Sequence, residues 1–379
     1  MANKRGNNEG SVYQRRDRRW VACITLGYAN GGRRRKTLLA DSKREAKKKL
    51  AQLLQAQEQG LALDADPTVA DYLRKWLKET AIPSLRPRTG AGYASIVHQH
   101  LVPSLGRIKL RKLSVADVEI HLRRTAASGL SGGTIKYHHA VLGRALKDAE
   151  RWGLVSRNVA RLVTPPRVQR RDVQPLTPEQ ARLFLASVED DRLRALYMVS
   201  ISLGLRQGEA LALAWTDIDF EARTLRVSYT LQRYNGTYHL DAPKTERSQR
   251  TVTLPPQIID ALYRHRATQN EERLQFGKFW AEDRRPFVFC DELGEPLNGR
   301  TVTRVFRKKL ADLGLPAQRF HDLRHAAATF LIAQGIPLRV IMEILGHSTI
   351  ATTADIYGHV ELELQRDATE RAATALYGT

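Results

Sequence analysis

Side chains able to act on a phosphate ester gather in the second half of the sequence, in four short segments. The first is Gly204-Leu205-Arg206-Gln207-Gly208-Glu209, followed by Leu211, Leu213, Trp215, Asp217 and Asp219. The second is Ala242-Pro243-Lys244-Thr245. The third is His321-Asp322-Leu323-Arg324-His325. The fourth is Leu345-Gly346-His347-Ser348, and then Thr352-Thr353-Ala354-Asp355-Ile356-Tyr357.

Breaking a phosphodiester without a metal needs a nucleophile, positive donors around the phosphate and an acid for the leaving oxygen. Arg206 and Arg324 can each fork two hydrogen bonds to non-bridging oxygens. They would stabilise the charge of a five-coordinate transition state. His321 lies three residues before Arg324, so a helix brings both to one side. His347 adds a further donor. Lys244, at a hairpin tip, suits protonation of a departing 5′-oxygen. Tyr357 can attack and hold the phosphate as an ester. That ester keeps the bond energy, so a second DNA end can reseal it without ATP. The set calls for no cofactor and no metal. Each residue also has an ordinary reading. Arg206 and Glu209 can form a helix ion pair, Lys244 is one of many lysines, Tyr357 can serve packing, and His347 can belong to a helix cap. Glu209 and Asp217 read as supporting residues and Trp215 as core. The competing chemistry is zinc held by His321, His325 and His347. It meets Asp322 where a zinc hydrolase motif carries Glu, and it leaves both arginines, Lys244 and Tyr357 without a role. No Gly-rich phosphate loop of the ATPase kind occurs in the sequence.

The order Arg, Lys, His-x-x-Arg, His, Tyr, with the flanking words GLRQGE, HDLRH and LGHS, resembles the tyrosine recombinase (phage integrase) family, of the lambda-integrase-like three-domain type. The resemblance implies a site-specific recombinase that cuts and rejoins DNA through a 3′-phosphotyrosyl intermediate and integrates or excises a mobile element or prophage. It implies Arg206, Lys244, His321, Arg324 and His347 as catalytic residues, with Tyr357 as nucleophile. The implied partners are double-stranded DNA at core and arm sites, three further copies in a tetrameric synapse passing through a Holliday junction, and accessory DNA-bending proteins. Two other readings share parts of the pattern. A non-catalytic DNA-binding regulator would not need the intact set, and a type IB topoisomerase would not need an arm-binding module.

The elements that must position these residues can be read from periodicity. The expected class is mainly α with small β-sheets (α+β). Residues 11–39 alternate around Val12, Trp20, Ala22, Ile24 and Leu26, which predicts a small antiparallel sheet with a hairpin near Asn30-Gly31. Asp41 or Ser42 can cap a helix to about Gln59, stopped by Gly60, with Ala46, Leu50, Leu53 and Leu54 facing the sheet. This module, residues 1–60, resembles the arm-binding module of phage integrases, and its Arg33, Arg34, Arg35 and Lys36 are expected to be exposed and to meet DNA. A linker ending at Pro67 precedes helices expected at Val69–Glu79, Gly90–Leu101, Ser114–Ala126 and Thr134–Trp152. By resemblance, residues 67–160 form the helical, SAM-like core-binding domain that closes half of a clamp on duplex DNA. A second linker, Thr164 to Pro175, carries Arg167, Arg170 and Arg171, further DNA-binding candidates. The catalytic domain, 176–379, opens on Thr177-Pro178-Glu179-Gln180, a helix start with proline in the first turn. It is expected to be helical apart from strands within 222–254, turning at Asn235-Gly236. Its tail, from Glu361 to Tyr377, spaces Leu362, Leu364, Ala368, Ala372, Ala373 and Leu376 so that they could dock on a neighbouring protomer.

Charge points to the same partner. The 379 residues carry a formal net charge of +21. Residues 1–60 hold 15 Lys/Arg against 5 Asp/Glu, residues 61–171 hold 20 against 8, and residues 172–379 hold 26 against 27. The excess therefore lies wholly in the first part of the chain, as in a protein that displaces counterions from a polyanion. The two cysteines, Cys23 and Cys290, suit a reducing cytoplasmic compartment and exclude a disulfide framework. The polar start has no apolar signal core and no apolar run is long enough to span a bilayer, which points away from secretion and membranes.

Overall fold

The computed structural model describes residues 10–29, 32–58, 66–167, 174–243, 248–281, 285–346, 369–370 and 372–378. The chain divides into two compact units, Met1–Arg170 and Arg171–Thr379. Among the described residues, no helix is long and apolar enough to cross a membrane.

The first unit begins with an antiparallel sheet of β1 (Ser11–Gln14), β2 (Trp20–Ala29) and β3 (Gly32–Ala40), in that order. Helix α1 (Lys43–Glu58) covers one face. The Ser42 hydroxyl accepts from the Glu45 backbone N–H at 3.2 Å, and the Asp41 N–H donates to the Glu45 carboxylate at 3.0 Å. These two bonds start the helix by satisfying N–H groups that have no partner within it. Ala46 is fully buried, while Leu50, Leu53 and Leu54 join Ile24, Leu26 and Leu38 in a small core. The pairing register slips between Thr25 and Gly27. The Asn30-Gly31 hairpin tip and Gly60 lie outside the described residues. Arg33, Arg34 and Arg35 are exposed, as composition suggests. Lys36 is a correction: it is half-buried, because it pairs with the inward-facing Ile24 of β2.

The same unit contains helices α2 (Val69–Trp76), α3 (Pro87–Ile96), α4 (Val102–Leu105), α5 (Val115–Ala127) and α6 (Gly132–Arg151). Thr68 with Asp71, and Ser114 with Asp117, form reciprocal caps at the starts of α2 and α5. Val69, Leu73, Trp76, Leu101, Leu142 and Leu146 fill the core between these helices. The predicted helices are present with shifted ends. The second begins at Pro87 instead of Gly90, because Arg86 is extended and proline fits the first turn. A wider i→i+5 turn at Leu77–Ala81 carries the first helix past its expected end at Glu79, and another at Val97–Leu101 brings the second to its expected end, where α4 follows.

The second unit is built from α7 (Pro178–Ser187), α8 (Arg194–Leu203), α9 (Gln207–Ala212), α10 (Pro256–Phe276), α11 (Gly299–Asp312), α12 (Asp322–Ala333) and α13 (Leu338–Leu345). Strands β4 (Ile218–Asp219), β5 (Thr224–Val227) and β8 (Arg250–Thr253) form one antiparallel sheet, and β6 (Thr230–Tyr234) pairs with β7 (Thr237–Asp241). Asn235 and Gly236 turn β6 into β7 with φ of 51° and 80°, as a tight hairpin requires. Phe184, Tyr197, Phe306 and Phe320 pack ring to ring at the centre. Trp215 is only partly buried; it packs at the core's edge, and its indole N–H donates to Gln269 at 2.6 Å.

Candidate active site

The site is organised by the chain reversal after α8. That helix is almost entirely buried and ends on Gly204, which takes a left-handed φ of 61°. A Cβ at this position would stand 2.3 Å from Leu345 Cδ2 and 3.2 Å from Ala327 Cβ. Glycine thus serves both the turn and the close approach of α12 and α13. Leu205 is buried, and Arg206, extended, begins α9.

Arg206 donates through Nη1 to Glu209 Oε1 at 2.6 Å and through Nη2 to the Gly346 carbonyl at 3.2 Å. Its own backbone N–H donates to Glu209 Oε2 at 3.0 Å. The helix ion pair foreseen as the ordinary reading is therefore present. It also aims the guanidinium, whose side chain keeps 37% of its surface accessible. Glu209 is buried. Burial alone would raise its pKa, but Arg250 and Arg206 outweigh that and hold the carboxylate below its ordinary range.

Arg324 lies in the first turn of α12, with the side chain inside the fold. Its Nη1 donates to the Gly204 carbonyl at 2.7 Å, whereas its Nη2 is buried with no hydrogen-bond partner among the described residues. Burial, and then the nearby Arg206, push the guanidinium down to about 9. It stays charged at neutral pH. The location is poorly solvated and rich in positive charge, and one donor is unspent; an anion would relieve all three conditions.

His321 is the residue just before α12, three positions ahead of Arg324. Although it retains surface exposure, desolvation, His325 and Arg324 all hold its pKa below the ordinary value. The imidazole is therefore neutral at pH 7, with one ring nitrogen able to donate. The His321 and His325 rings meet edge to face, 5.5 Å between centres. Between them in sequence, buried Asp322 takes a forked pair from Arg319, with Nη2 to Oδ1 at 2.7 Å. Among the described residues no cluster of His, Cys, Asp or Glu is arranged to hold a metal. Lys244, His347 and Tyr357 lie outside the described residues, as do Arg170 and Arg171. Arg167 is exposed. Asp217 behaves as a structural acceptor, bonded to the Ala214 N–H and to Arg285.

The sequence reading missed Arg250. It donates through Nη2 to Glu209 at 3.1 Å and through Nε to the Ile344 carbonyl at 2.6 Å. Its signal was available in β8, where Arg250 has the same parity as buried Val252. An arginine in the inward register of a strand marks a buried ion pair.

Comparison with known proteins decides the family. The model described as Phage integrase family matches residues 174–363, and the one described as Phage integrase, N-terminal SAM-like domain matches residues 68–120. The chain belongs to the phage integrase family. This recombinase is 31% identical to a XerC-like tyrosine recombinase of Caldanaerobacter subterraneus subsp. tengcongensis, over 92% of this chain and 94% of the relative. It is 32% identical to an integrase of Streptomyces ambofaciens, over 94% of each. Its fold resembles the Tn1549 transposon integrase solved with a circular intermediate DNA, at a TM-score of 0.68 and 23% identity, covering 81% of this chain and 100% of that one. It also resembles lambda integrase solved as a dimer on a core site, at a TM-score of 0.57 and 18% identity, covering 94% and 95%. The recombinase is thus an enzyme of DNA strand cleavage and rejoining that carries out site-specific recombination in the integration or excision of mobile elements.

Proposed function

We propose that the site around Gly204 binds the scissile phosphate of a core recombination site and that Tyr357 attacks it. The observation that carries this reading is the buried Nη2 of Arg324, which has no partner among the described residues and stands beside the accessible Arg206. In this reading Arg206 and Arg324 neutralise the non-bridging oxygens as charge builds up on them. Tyr357 Oη passes its proton to the neutral imidazole of His321 and adds to phosphorus, the 5′-oxygen departs with a proton from Lys244, and the 3′-phosphotyrosyl ester remains. His321 and His347 supply further donors. Attack of another strand's 5′-hydroxyl reverses the step and releases the tyrosine.

The proposal extends to the assembly. Residues 67–160 and 176–379 would engage the core site, and the basic sheet-plus-helix module 1–60 would hold a separate arm site through Arg33, Arg34, Arg35 and Lys36. Arg167, Arg170 and Arg171 would follow the DNA backbone. Four copies would exchange strands, with DNA-bending proteins bringing arm and core together. Lambda integrase has been solved as a tetramer on a Holliday junction, which supports this arrangement by likeness of fold. Incubation with a nicked core-site duplex that traps the covalent product tests the chemistry. Tyr357→Phe should bind this DNA and yield no adduct, and chelator should leave the wild-type adduct unchanged. An adduct from the Phe variant would remove Tyr357 from the mechanism, and loss with chelator that zinc restores would revive the histidine metal site.

A further inference from the structure

We propose that Arg250 is a positioning residue that sets the geometry of the phosphate site by clamping three separate segments together through the shared carboxylate of Glu209. This rests on the reading of Arg206 as a phosphate ligand given above. Arg250 leaves β8, the strand that follows the Lys244 segment. Its Nη2 reaches Glu209 on α9, its Nε reaches the last-turn Ile344 carbonyl of α13 at 2.6 Å, and its Nη1 reaches the Ser248 carbonyl at 3.3 Å. The side chain also forms the seat of the turn that ends α13. Gly346 takes a left-handed φ of 66°, and a Cβ there would lie 2.8 Å from Arg250 Nη1. The carbonyl of that same Gly346 accepts from Arg206. One guanidinium therefore fixes the second oxygen of the carboxylate that aims Arg206 and also fixes the backbone from which the His347 segment departs.

Stability alone does not explain this arrangement. Both partners of the Arg250–Glu209 pair are almost wholly buried, with 6% and 3% of their side-chain surfaces exposed. A buried ion pair commonly gains no more than a well-packed apolar pair of the same volume. Burial lowers the Arg250 pKa, opposed by Glu209 and reinforced by Arg206, so the site confines a second cation next to the first. What the pair supplies is direction: Glu209 Oε1 is left to Arg206 and Oε2 is shared between Arg250 and the Arg206 N–H. Lysine keeps the charge but cannot reach Glu209, Ile344 and Ser248 from one rigid fork.

The test is single-turnover cleavage of a trapped core-site duplex by full-length Arg250→Lys and Arg250→Met, alongside DNA affinity and thermal melting. Loss of alignment at the ångström level costs about 100-fold in rate. We expect a fall of that size for both variants, with core-site affinity changed less than about threefold. Combining either variant with Arg206→Lys should add little further loss, because both act on the same fork. Cleavage by folded Arg250→Lys at the wild-type rate would overturn the proposal. So would a fully additive double variant, or a loss that follows DNA affinity and melting alone. Should Arg250→Met fail to fold, Glu209→Gln provides the second arm: it preserves shape, removes the shared charge and should slow cleavage without abolishing binding. Tyr357→Phe runs in parallel. An adduct from that variant would defeat the underlying reading, whereas its absence beside an unaffected Arg250 series would defeat only this inference.

Discussion

At the scale of single residues, the candidate site builds on an ordinary interaction. The Arg206–Glu209 contact has the spacing of a common helix pair, but the carboxylate is buried and divides its oxygens between two arginines. Its depressed pKa contributes stability that is present above the ordinary glutamate value and is lost as pH falls through the lower folded value. Arg324 is the more demanding case, since it brings a charge into the fold with one donor that has no partner among the described residues. Arg324→Lys keeps the charge but loses the fork that reaches the Gly204 carbonyl and, in the proposed site, a phosphate. Removal of a preorganised donor at a developing charge costs about 100- to 1000-fold, so cleavage of the trapped duplex should fall by that order while core-site affinity changes little. Equal losses in affinity and rate would mean that Arg324 binds DNA without favouring the transition state.

At the scale of elements, the local signals were legible and the long-range ones were not. Ser114 with Asp117 and Thr177 with Gln180 announce helix starts because a cap is closed within four residues. Asn235-Gly236 announces its turn because few other residue pairs tolerate both angles. The chemistry-bearing words around Arg206 and Arg324 stood out for a different reason: their order along the chain resembles a family, while each residue alone also has an ordinary reading. Arg250 did not, because its partners Glu209 and Ile344 are 41 and 94 residues away. The wider turns after Trp76 and Ile96 likewise answer to packing, not to local propensity. Packing also produced an element-scale feature that periodicity could not show. His121 of α5, His138 of α6 and His100 cluster in the core of the helical part of the first unit, with His100–His138 and His121–His138 ring centres 4.4 Å and 6.0 Å apart. Burial, then His138 and His100, push the His121 pKa down to about 4 from an ordinary 6.5, and burial with His100 also lowers that of His138. A histidine kept neutral in this way gives full stability above 6.5, and that stability drains as pH falls from 6.5 toward 4, because the unfolded chain takes up the proton first. Each such group contributes up to about 1.4 kcal/mol per pH unit. Hydrogen exchange of α5 and α6 amides, corrected for intrinsic rates, should show protection falling between pH 6.5 and 5 in the wild type and falling less in His121→Phe. Parallel loss in both proteins would assign the acid sensitivity elsewhere.

At the scale of the whole molecule, the distribution of charge separates tasks along the chain. Residues 172–379 are nearly neutral in total, with 26 basic against 27 acidic residues, although the candidate active site lies there. If the proposed site is right, a region that gathers arginines at one phosphate while balancing charge elsewhere would gain selectivity and leave general adhesion to other segments. Residues 1–60, with 15 basic against 5 acidic residues, present Arg33, Arg34 and Arg35 on an exposed edge, and in the proposed assembly they would carry a second DNA contact. Each phosphate neutralised on duplex DNA contributes about 0.9 to the slope of log affinity against log salt. Deleting residues 1–60 should therefore flatten that slope on DNA bearing arm sites and leave it nearly unchanged on an isolated core site. Cleavage of the core site should survive, because the candidate catalytic residues all lie in the second unit. Recombination between two attachment substrates should be lost, because arm and core are no longer joined by one protein. Replacing Arg33, Arg34 and Arg35 with Gln in the full chain should reproduce the flattened slope without removing the folded sheet. If the truncated protein still recombines two substrates, or if the salt slopes on arm and core DNA fall together, the N-terminal module is a general electrostatic anchor and not the reader of a separate site.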